Sequence, residues 1–229
     1  MSVYDPADKI IKEMNRANLK AFNLIKLAKW DEINKLRVGV SSGSESNAAY
    51  EASLRLIKLI ANTYAASIRL AKKKYLLCGY EAYIAAMIEC HISDRRATDM
   101  AYDDITTDWV LDMLEDVDPV TLYSFLQEAD RKRDRLTEAL SASPNRDKEV
   151  DKALKAWVKQ TAQYADNTVD YARMTAFRSA GIRQVRWHTQ EDDRVCPDCI
   201  PLDLQVFNID NVPPRPHWGC RCWLEPILS

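Results

Sequence analysis

The chain has 229 residues, a formal net charge of −2 and the composition of an ordinary soluble globular protein. A generally basic, DNA-binding chain is therefore excluded, and any nucleic-acid surface would have to be local. No apolar run approaches the roughly 20 residues that span a bilayer. Met1 leads into polar residues rather than a signal peptide, which predicts assembly in a reducing cytoplasm.

The first half of the chain has the pattern of long helices. Between Pro6 and Pro119 there is no proline, and glycine occurs only at positions 39, 43 and 79. The spacing predicts a first helix over 5–36, an exposed connection over 37–47, and a second helix that Gly79 ends, the two helices forming an antiparallel hairpin. Their apolar faces are Ile10, Met14, Ala17, Ala21, Leu24 and Ala28, and Ile57, Ile60, Tyr64, Ile68, Ala71 and Tyr75.

Shorter helices are predicted over 80–91 and 107–114, the latter with Thr107 as N-cap. Asp118-Pro119 and Ser143-Pro144 predict two further helix starts, because a side-chain acceptor precedes a residue with a fixed φ. The first of these helices reaches about Leu140, and Gly181 ends the second. We assign Tyr64, Tyr75, Trp157, Cys78 and Cys90 to the core.

After Gly181 the pattern changes to three short strands, predicted near 182–189, 205–207 and 221–224. A module of roughly forty residues buries too little apolar surface to be stable alone and usually needs a covalent cross-link or a bound metal ion. The predicted fold is mainly α: an elongated helical body over residues 1–181 and a small α+β, cysteine-rich module over residues 182–229.

This module contains four of the six cysteines and two of the three histidines. Cys196 and Cys199 form a CxxC pair on one tight turn, and His217, Cys220 and Cys222 follow on another. Two such knuckles are the usual way to build a tetrahedral zinc site, so a structural zinc is the leading prediction. Five candidates compete for four positions, and either Cys220 or Cys222 is the fourth ligand.

Other interpretations of these residues stay open. Without a metal, the thiols would be partly buried or would form disulfides outside the cell. A redox CxxC, or a catalytic cysteine with His217 as base, has less support. We expect the nearby aspartates to fix turns and to pair with Arg194 or Arg221, and His188 to be a surface or packing residue. These aspartates are Asp192, Asp193 and Asp203.

Two small basic clusters stand in the helical region, and both are expected to be solvated helix faces. They consist of Lys72, Lys73 and Lys74, and of Arg131, Lys132, Arg133 and Arg135.

The module also resembles a known family. Its motifs are W-H-T from Trp187, D-D-R-V-C-P-D-C, L-D, F, P-H-W-G-C-R-C and a closing E-P. Together they resemble the C-terminal module of phage head morphogenesis proteins, the Mu F-like minor head proteins. The resemblance covers about residues 172–228 and includes Arg173, Thr175 and Arg178 before Gly181. Leu204 departs from the family, which usually has glycine after L-D, so the turn there is expected to differ.

The resemblance implies a minor capsid protein of the phage head interior that acts in procapsid assembly, made in the host cytoplasm. Its implied partners are the portal protein, the inner capsid or scaffold and, weakly, packaged DNA, with no membrane, small-molecule substrate or enzymatic activity. Some relatives carry an added toxin or transferase domain, and none is expected here. We expect the helical body rather than the cysteine module to bind the portal.

Two alternatives are a zinc-ribbon nucleic-acid-binding protein and a cysteine-dependent enzyme. Five arginines against seven acidic residues after Gly181 argue against the first.

Overall fold

A computed structural model describes residues 2–28, 43–118, 121–143, 145–189, 197–217 and 219–228. Within these ranges the fold is mainly α, as predicted, with six helices followed by a small three-stranded sheet. The helices are α1 (Asp5–Leu27), α2 (Gly43–Glu89), α3 (Asp94–Asp104), α4 (Thr107–Glu115), α5 (Phe125–Ala142) and α6 (Arg146–Ser179). The strands are β1 (Gln184–His188), β2 (Val206–Asn208) and β3 (Trp223–Pro226).

The chain divides into two compact units. The first comprises Met1–Lys12, Lys72–Leu126 and Gln160–Ser229, and the second comprises Glu13–Ala71 and Gln127–Lys159. The functional division predicted at Gly181 stays a prediction. None of the described helices combines the length and the hydrophobicity required to cross a membrane.

In the second unit, α1 and α2 form the predicted antiparallel hairpin. The Ser67 hydroxyl donates to Asn18 Oδ1, and the rings of Phe22 and Tyr64 lie 5.5 Å apart. Residue numbers therefore increase along α1 in the direction in which they decrease along α2, as in an antiparallel pair. The indole of Trp157 donates a 2.6 Å hydrogen bond to the Ser67 hydroxyl, and its ring lies 5.1 Å from that of Tyr64. Tyr64 and Trp157 are therefore core residues, as predicted.

The apolar face of α1 differs from the prediction toward its end. Leu24 is 53% exposed, whereas Phe22 and Ile25 are fully buried. The buried positions, which are Ala7, Ile10, Met14, Asn18, Phe22 and Ile25, keep the 3-or-4 step but leave the predicted register after Met14. On α2, Ile57 is likewise exposed, and the buried seam begins at Ile60.

The prediction that Gly79 ends the second helix is wrong, since α2 passes through it and includes most of the predicted helix over 80–91. A Cβ at this position would lie 2.9 Å from the Trp109 ring and 3.1 Å from an Ile105 methyl group. Glycine therefore allows α2 to pack closely against the indole. The helix ends instead before His91, which adopts a left-handed φ of 61°.

Several predicted helix boundaries move. Residues 43–47 of the predicted connection are helical, and 29–42, which include the predicted end of the first helix, lie outside the described residues. Helix α3 was not predicted. The N-cap of α4 is Thr106 rather than Thr107, because its hydroxyl accepts from the Trp109 amide at 3.2 Å.

The prolines of the two predicted helix starts, Pro119 and Pro144, lie outside the described residues, and the helices that follow begin at Phe125 and Arg146. Asp118 forms a turn in which the Leu122 amide donates to its carbonyl oxygen at 2.8 Å, and α5 begins only at Phe125. Leu122 has a φ of 61°, which interrupts helical geometry. Helix α6 is capped by Asn145, whose Oδ1 accepts from the Lys148 amide at 3.2 Å. Its predicted end is confirmed, since Gly181 has a φ of 76° after Ser179.

The three strands form an antiparallel sheet in the order β2-β1-β3. Val185 pairs with Phe207, and Trp187 pairs with Leu224. Val185 and Trp187 are two residues apart and both buried, so one face of β1 is covered. Strand β3 begins two residues later than predicted, because the Cys222 carbonyl oxygen accepts from the Tyr4 hydroxyl.

Candidate metal centre

The cysteine module is built around a small buried cluster on β1. Trp187, Cys199, Cys220 and Cys222 form its centre, and each is at most 5% exposed. The partly buried side chains packed against this cluster are Leu202, Phe207, Val212 and Leu224. Three of the predicted ligands are thus held in one apolar environment within the first unit.

Cys199, His217 and Cys220 form a group with metal-site geometry. Their ligand atoms all lie within 4.8 Å of one another. The Cys199 Sγ is 3.3 Å from His217 Nε2 and 3.7 Å from the Cys220 Sγ. With metal–sulfur bonds of about 2.3 Å, the edge of a tetrahedral site is about 3.8 Å. The sulfur–sulfur separation therefore suits a zinc-sized ion.

Local turns present these side chains. Cys199 precedes the 3₁₀ turn Ile200–Leu202, and its carbonyl oxygen accepts from the Leu202 amide at 3.0 Å. On the other side, the Cys220 amide donates to the His217 carbonyl at 3.3 Å. Gly219 has a φ of 80°, a conformation that glycine adopts without strain, and its amide donates to Gln163 Oε1 of α6 at 2.5 Å. This turn places His217 and Cys220 on the same side.

The remaining predicted ligands have different positions. Cys196 lies outside the described residues. Cys222 is buried in the same apolar cluster but is not part of the three-residue group. The described cysteines are all free thiols, including Cys78, which is buried as predicted, and Cys90, which is only partly buried. The identity of the ligands stays a prediction, and the geometry favours Cys220 over Cys222.

Hydrogen bonds between the thiols separate their acidities. The hydrogen bond from Cys222, together with the nearby Arg215 guanidinium, lowers the pKa of Cys220 well below its usual range. The same hydrogen bond, together with burial, raises the pKa of Cys222 well above its usual range. Cys220 is thus the thiol whose surroundings favour the thiolate that a metal requires.

Arg215 lies directly behind this pair of cysteines. Its Nη1 is 3.7 Å from the Cys220 Sγ and donates to the Cys222 carbonyl oxygen. Its Nη2 forms an ion pair with Asp170 of α6, and its guanidinium lies over the Trp187 ring at 5.6 Å. The role of Arg215 was not predicted, because its local signal is limited to its place in the Pro213–Pro216 stretch beside the ligands.

Among the described residues, Arg221 pairs with carboxylates outside the module rather than with Asp203. Its Nη2 lies 2.7 Å from Asp8 of α1 and 3.0 Å from Asp166 of α6. Of the three predicted aspartates, the described one is Asp203, which accepts from the Thr189 amide and hydroxyl at 2.8 and 3.0 Å. Asp192, Asp193 and Arg194 lie outside the described residues.

Two further features of the module are resolved. Leu204 has a φ of 59°, so it adopts the left-handed conformation that favours glycine. His188 stacks on Trp223 with ring centroids 4.4 Å apart, and its Nε2 lies 3.0 Å from Glu225. This histidine is a packing residue, as predicted.

Residues 131–225 match the family model described as Phage Mu protein F like protein. The match confirms the resemblance seen in the C-terminal motifs and extends it into α5 and α6. No curated protein matches the chain, and no solved structure does.

Proposed function

We propose that the chain is a phage head morphogenesis protein that enters the head as a minor capsid component during procapsid assembly. The observation that carries the proposal is the family match over residues 131–225, which includes the metal-type cysteine group and the helix that supports it. Under this proposal the protein is made in the host cytoplasm and resides in the head interior. We assign it no enzymatic step.

The test is a phage in which the gene carries an early stop codon. We expect heads from a non-suppressing host to lack the chain and to be fewer or malformed, while a suppressing host restores both. Mass spectrometry of purified procapsids and mature heads then measures its abundance at each stage. Normal heads without the protein, or its absence from wild-type procapsids, would contradict the proposal.

We place the portal contact on the helical hairpin of the second unit. Exposed apolar side chains occur on α1 and on the first half of α2, where water would otherwise cover them at a free-energy cost. They are Leu19, Leu24 and Leu27, and Tyr50, Leu54 and Ile57. A protein partner that covers them would gain roughly 25 cal/mol per Å² of buried apolar area.

Co-expression of the full chain with the portal protein of the same phage tests this surface. We expect the wild-type chain to co-purify with the portal, and Leu24→Glu with Leu27→Glu to abolish the interaction. Leu122→Glu is the matched control, because Leu122 is a leucine of the first unit that is exposed about as much as Leu27. Loss of binding only in the control would move the contact to the first unit.

We propose further that Cys199, His217 and Cys220 bind a structural zinc. The ion would cross-link two turns of a module whose described residues form three short strands. Elemental analysis of protein made without added metal should give about one zinc per chain. Cys220→Ala should lose the metal, whereas Cys222→Ala and the distant Cys78→Ala should retain it. Metal-free protein with six free thiols would contradict this assignment.

A role as a nucleic-acid-binding zinc ribbon has less support. The segment after Gly181 has five arginines and seven acidic residues, and Arg215 and Arg221 are already engaged with carboxylates of α1 and α6. A DNA-reading module presents its cations to phosphates instead. We therefore assign any contact with packaged DNA to a weak, secondary role.

A further inference from the structure

The beginning of the chain is part of the surroundings of the cysteine pair. Tyr4 is fully buried, and its hydroxyl oxygen lies 2.8 Å from the Cys222 carbonyl oxygen and 2.8 Å from Asp170 Oδ1. The same hydroxyl accepts a 2.8 Å hydrogen bond from Arg215 Nη2. The phenol donates its one proton to either the Asp170 carboxylate or the Cys222 carbonyl and accepts from the Arg215 guanidinium. It thereby joins the carboxylate, the guanidinium and the backbone beside the proposed ligand in one network.

Arg215 completes this network on the metal side. Its planar guanidinium reaches the Cys220 sulfur, the Cys222 carbonyl oxygen and the Asp170 carboxylate at once. The five fixed N–H donors of arginine permit this, whereas the single ammonium of lysine has no such geometry. Hydrogen bonds of this kind to a ligand and to its neighbouring backbone orient the ligand and increase metal affinity.

A second contact fixes the residue between the two cysteines. The Arg221 side chain pairs with Asp8 of α1 and Asp166 of α6, and its guanidinium lies over the Tyr4 ring at 5.2 Å. The backbone from Cys220 to Cys222 is therefore held by Tyr4 at its carbonyl and by Asp8 through Arg221. Both partners come from the first eight residues of the chain.

We infer that Tyr4 and Arg215 are positioning residues of the metal centre, and that docking of residues 2–8 and metal binding stabilise each other. The inference rests on the proposed zinc site. Because binding free energies are reciprocal, any strengthening of metal binding by the docked segment equals the strengthening of docking by the metal. Metal occupancy would thus control whether the start of α1 stays closed on the module.

The first experiment measures the zinc Kd of the full chain by competition with a chromophoric chelator. Tyr4→Phe should weaken zinc binding about tenfold, within the range seen when second-sphere partners are lost. Tyr83→Phe is the matched control, because Tyr83 is also fully buried and its hydroxyl donates to an aspartate, Asp104, of the same unit. It should lower thermal stability and leave the zinc Kd unchanged.

Arg215→Lys tests the guanidinium with a spectroscopic readout. In the cobalt-substituted protein, we expect the ligand-field absorption bands to shift in Arg215→Lys, because the thiolate loses its N–H donor. Arg186→Lys is the control, since Arg186 belongs to the same module and pairs with Glu225 at 3.0 Å on the sheet. Its spectrum should match that of the wild-type protein.

A third measurement needs no variant. Amide hydrogen exchange of residues 2–8 in the wild-type chain should slow when zinc is added to metal-free protein, whereas exchange in α3 should not change. If the wild-type chain binds no zinc, both the proposed centre and this inference fail. If the wild-type chain binds zinc but Tyr4→Phe has the same zinc Kd as Tyr83→Phe and the wild-type chain, the inference alone is overturned. The same conclusion follows if added zinc does not change the hydrogen exchange of residues 2–8.

Discussion

Arg173 of α6 donates two hydrogen bonds of 2.8 Å to the two carboxylate oxygens of Glu89, the last residue of α2. A third hydrogen bond of 2.8 Å runs from its Nη2 to the Leu224 carbonyl oxygen in β3. The guanidinium also lies over the Phe177 ring at 5.2 Å. The buried Arg173 side chain thus joins two helices and the sheet within the first unit. Arg173 is one of the residues before Gly181 that carry the family resemblance, and these contacts give it a structural role.

Arg173→Lys should therefore lower the free energy of unfolding by about 2 kcal/mol, because an ammonium cannot make the paired hydrogen bonds. Larger losses occur for fully buried ion pairs, but Glu89 is 40% exposed and solvent screens the pair. Urea denaturation measures the change. Arg178→Lys is the control, since that arginine is half-exposed and 3.7 Å from Asp210. Equal losses in both variants would contradict the assignment.

The sequence located the features whose signal is local. Short spacings indicated five candidate ligands, of which Cys199, His217 and Cys220 lie together, and the change of pattern after Gly181 predicted three short strands. The contacts that position them were not predictable, because the partners are far apart in the chain: Arg173 and Glu89 are separated by 84 residues, and Tyr4 and Cys222 by 218. The helical and strand periodicities of a sequence do not indicate contacts between residues so far apart.

Helix ends show the same limit. Glycine stops a helix at Gly181, but at Gly79 it serves close packing against Trp109, and the sequence pattern alone does not distinguish the two uses. Conversely, α2 ends before His91, a non-glycine residue with a positive φ, which composition does not indicate. These positions are decided by tertiary contacts and not by local propensity.

Leu204→Gly should increase the free energy of unfolding by about 1 kcal/mol, because a leucine in the left-handed region carries strain that glycine lacks. The Leu204 side chain is largely exposed, so little packing is lost. Thermal denaturation measures the change. Gly181→Ala should have the opposite sign, since Gly181 also has a positive φ. Destabilisation by Leu204→Gly would show that its side chain contributes more than the strain costs.

Protonation of the Asp203 carboxylate should make the module less stable in acid. Hydrogen bonds from the Thr189 amide and hydroxyl lower the pKa of Asp203 below its usual range. A carboxylate with a lowered pKa in the folded state contributes stability above its unfolded pKa of about 3.9, and loses it as pH falls through the folded value. Asp203→Asn should therefore reduce the Tm at pH 7 and have a smaller effect at pH 3. A reduction independent of pH would contradict a role for the charge.

Gly79→Ala should destabilise the first unit by about 1–2 kcal/mol, although alanine is the better helix former. The added Cβ would lie 2.9 Å from the Trp109 ring, which is itself held by a 3.2 Å hydrogen bond from its indole to the Thr175 hydroxyl. Thermal denaturation of the single variants and the double variant with Trp109→Phe gives the coupling. A smaller ring should recover part of the loss, and additive effects would contradict the steric explanation.

Three cations of the basic cluster of α5 pair with carboxylates of the same helix. Arg131 and Lys132 contact the Glu128 carboxylate at 2.6 and 3.0 Å. Arg133 contacts Asp130 at 2.6 Å and Asp134 at 2.9 Å. Cations that are paired in this way release few counterions on contact with phosphates, so they contribute little to DNA affinity.

The full chain should therefore bind duplex DNA only weakly at physiological salt, in or above the roughly 10⁻⁶–10⁻⁴ M range of nonspecific binding. Fluorescence anisotropy over a series of salt concentrations measures both the affinity and its salt dependence. Glu128→Gln combined with Asp130→Asn should strengthen binding and steepen the salt dependence, because each change removes a carboxylate that pairs with neighbouring cations of α5. Tight binding by the unmodified chain that weakens sharply with added salt would contradict this prediction and place a DNA-binding face elsewhere, with Lys72, Lys73 and Lys74 the next cations to substitute.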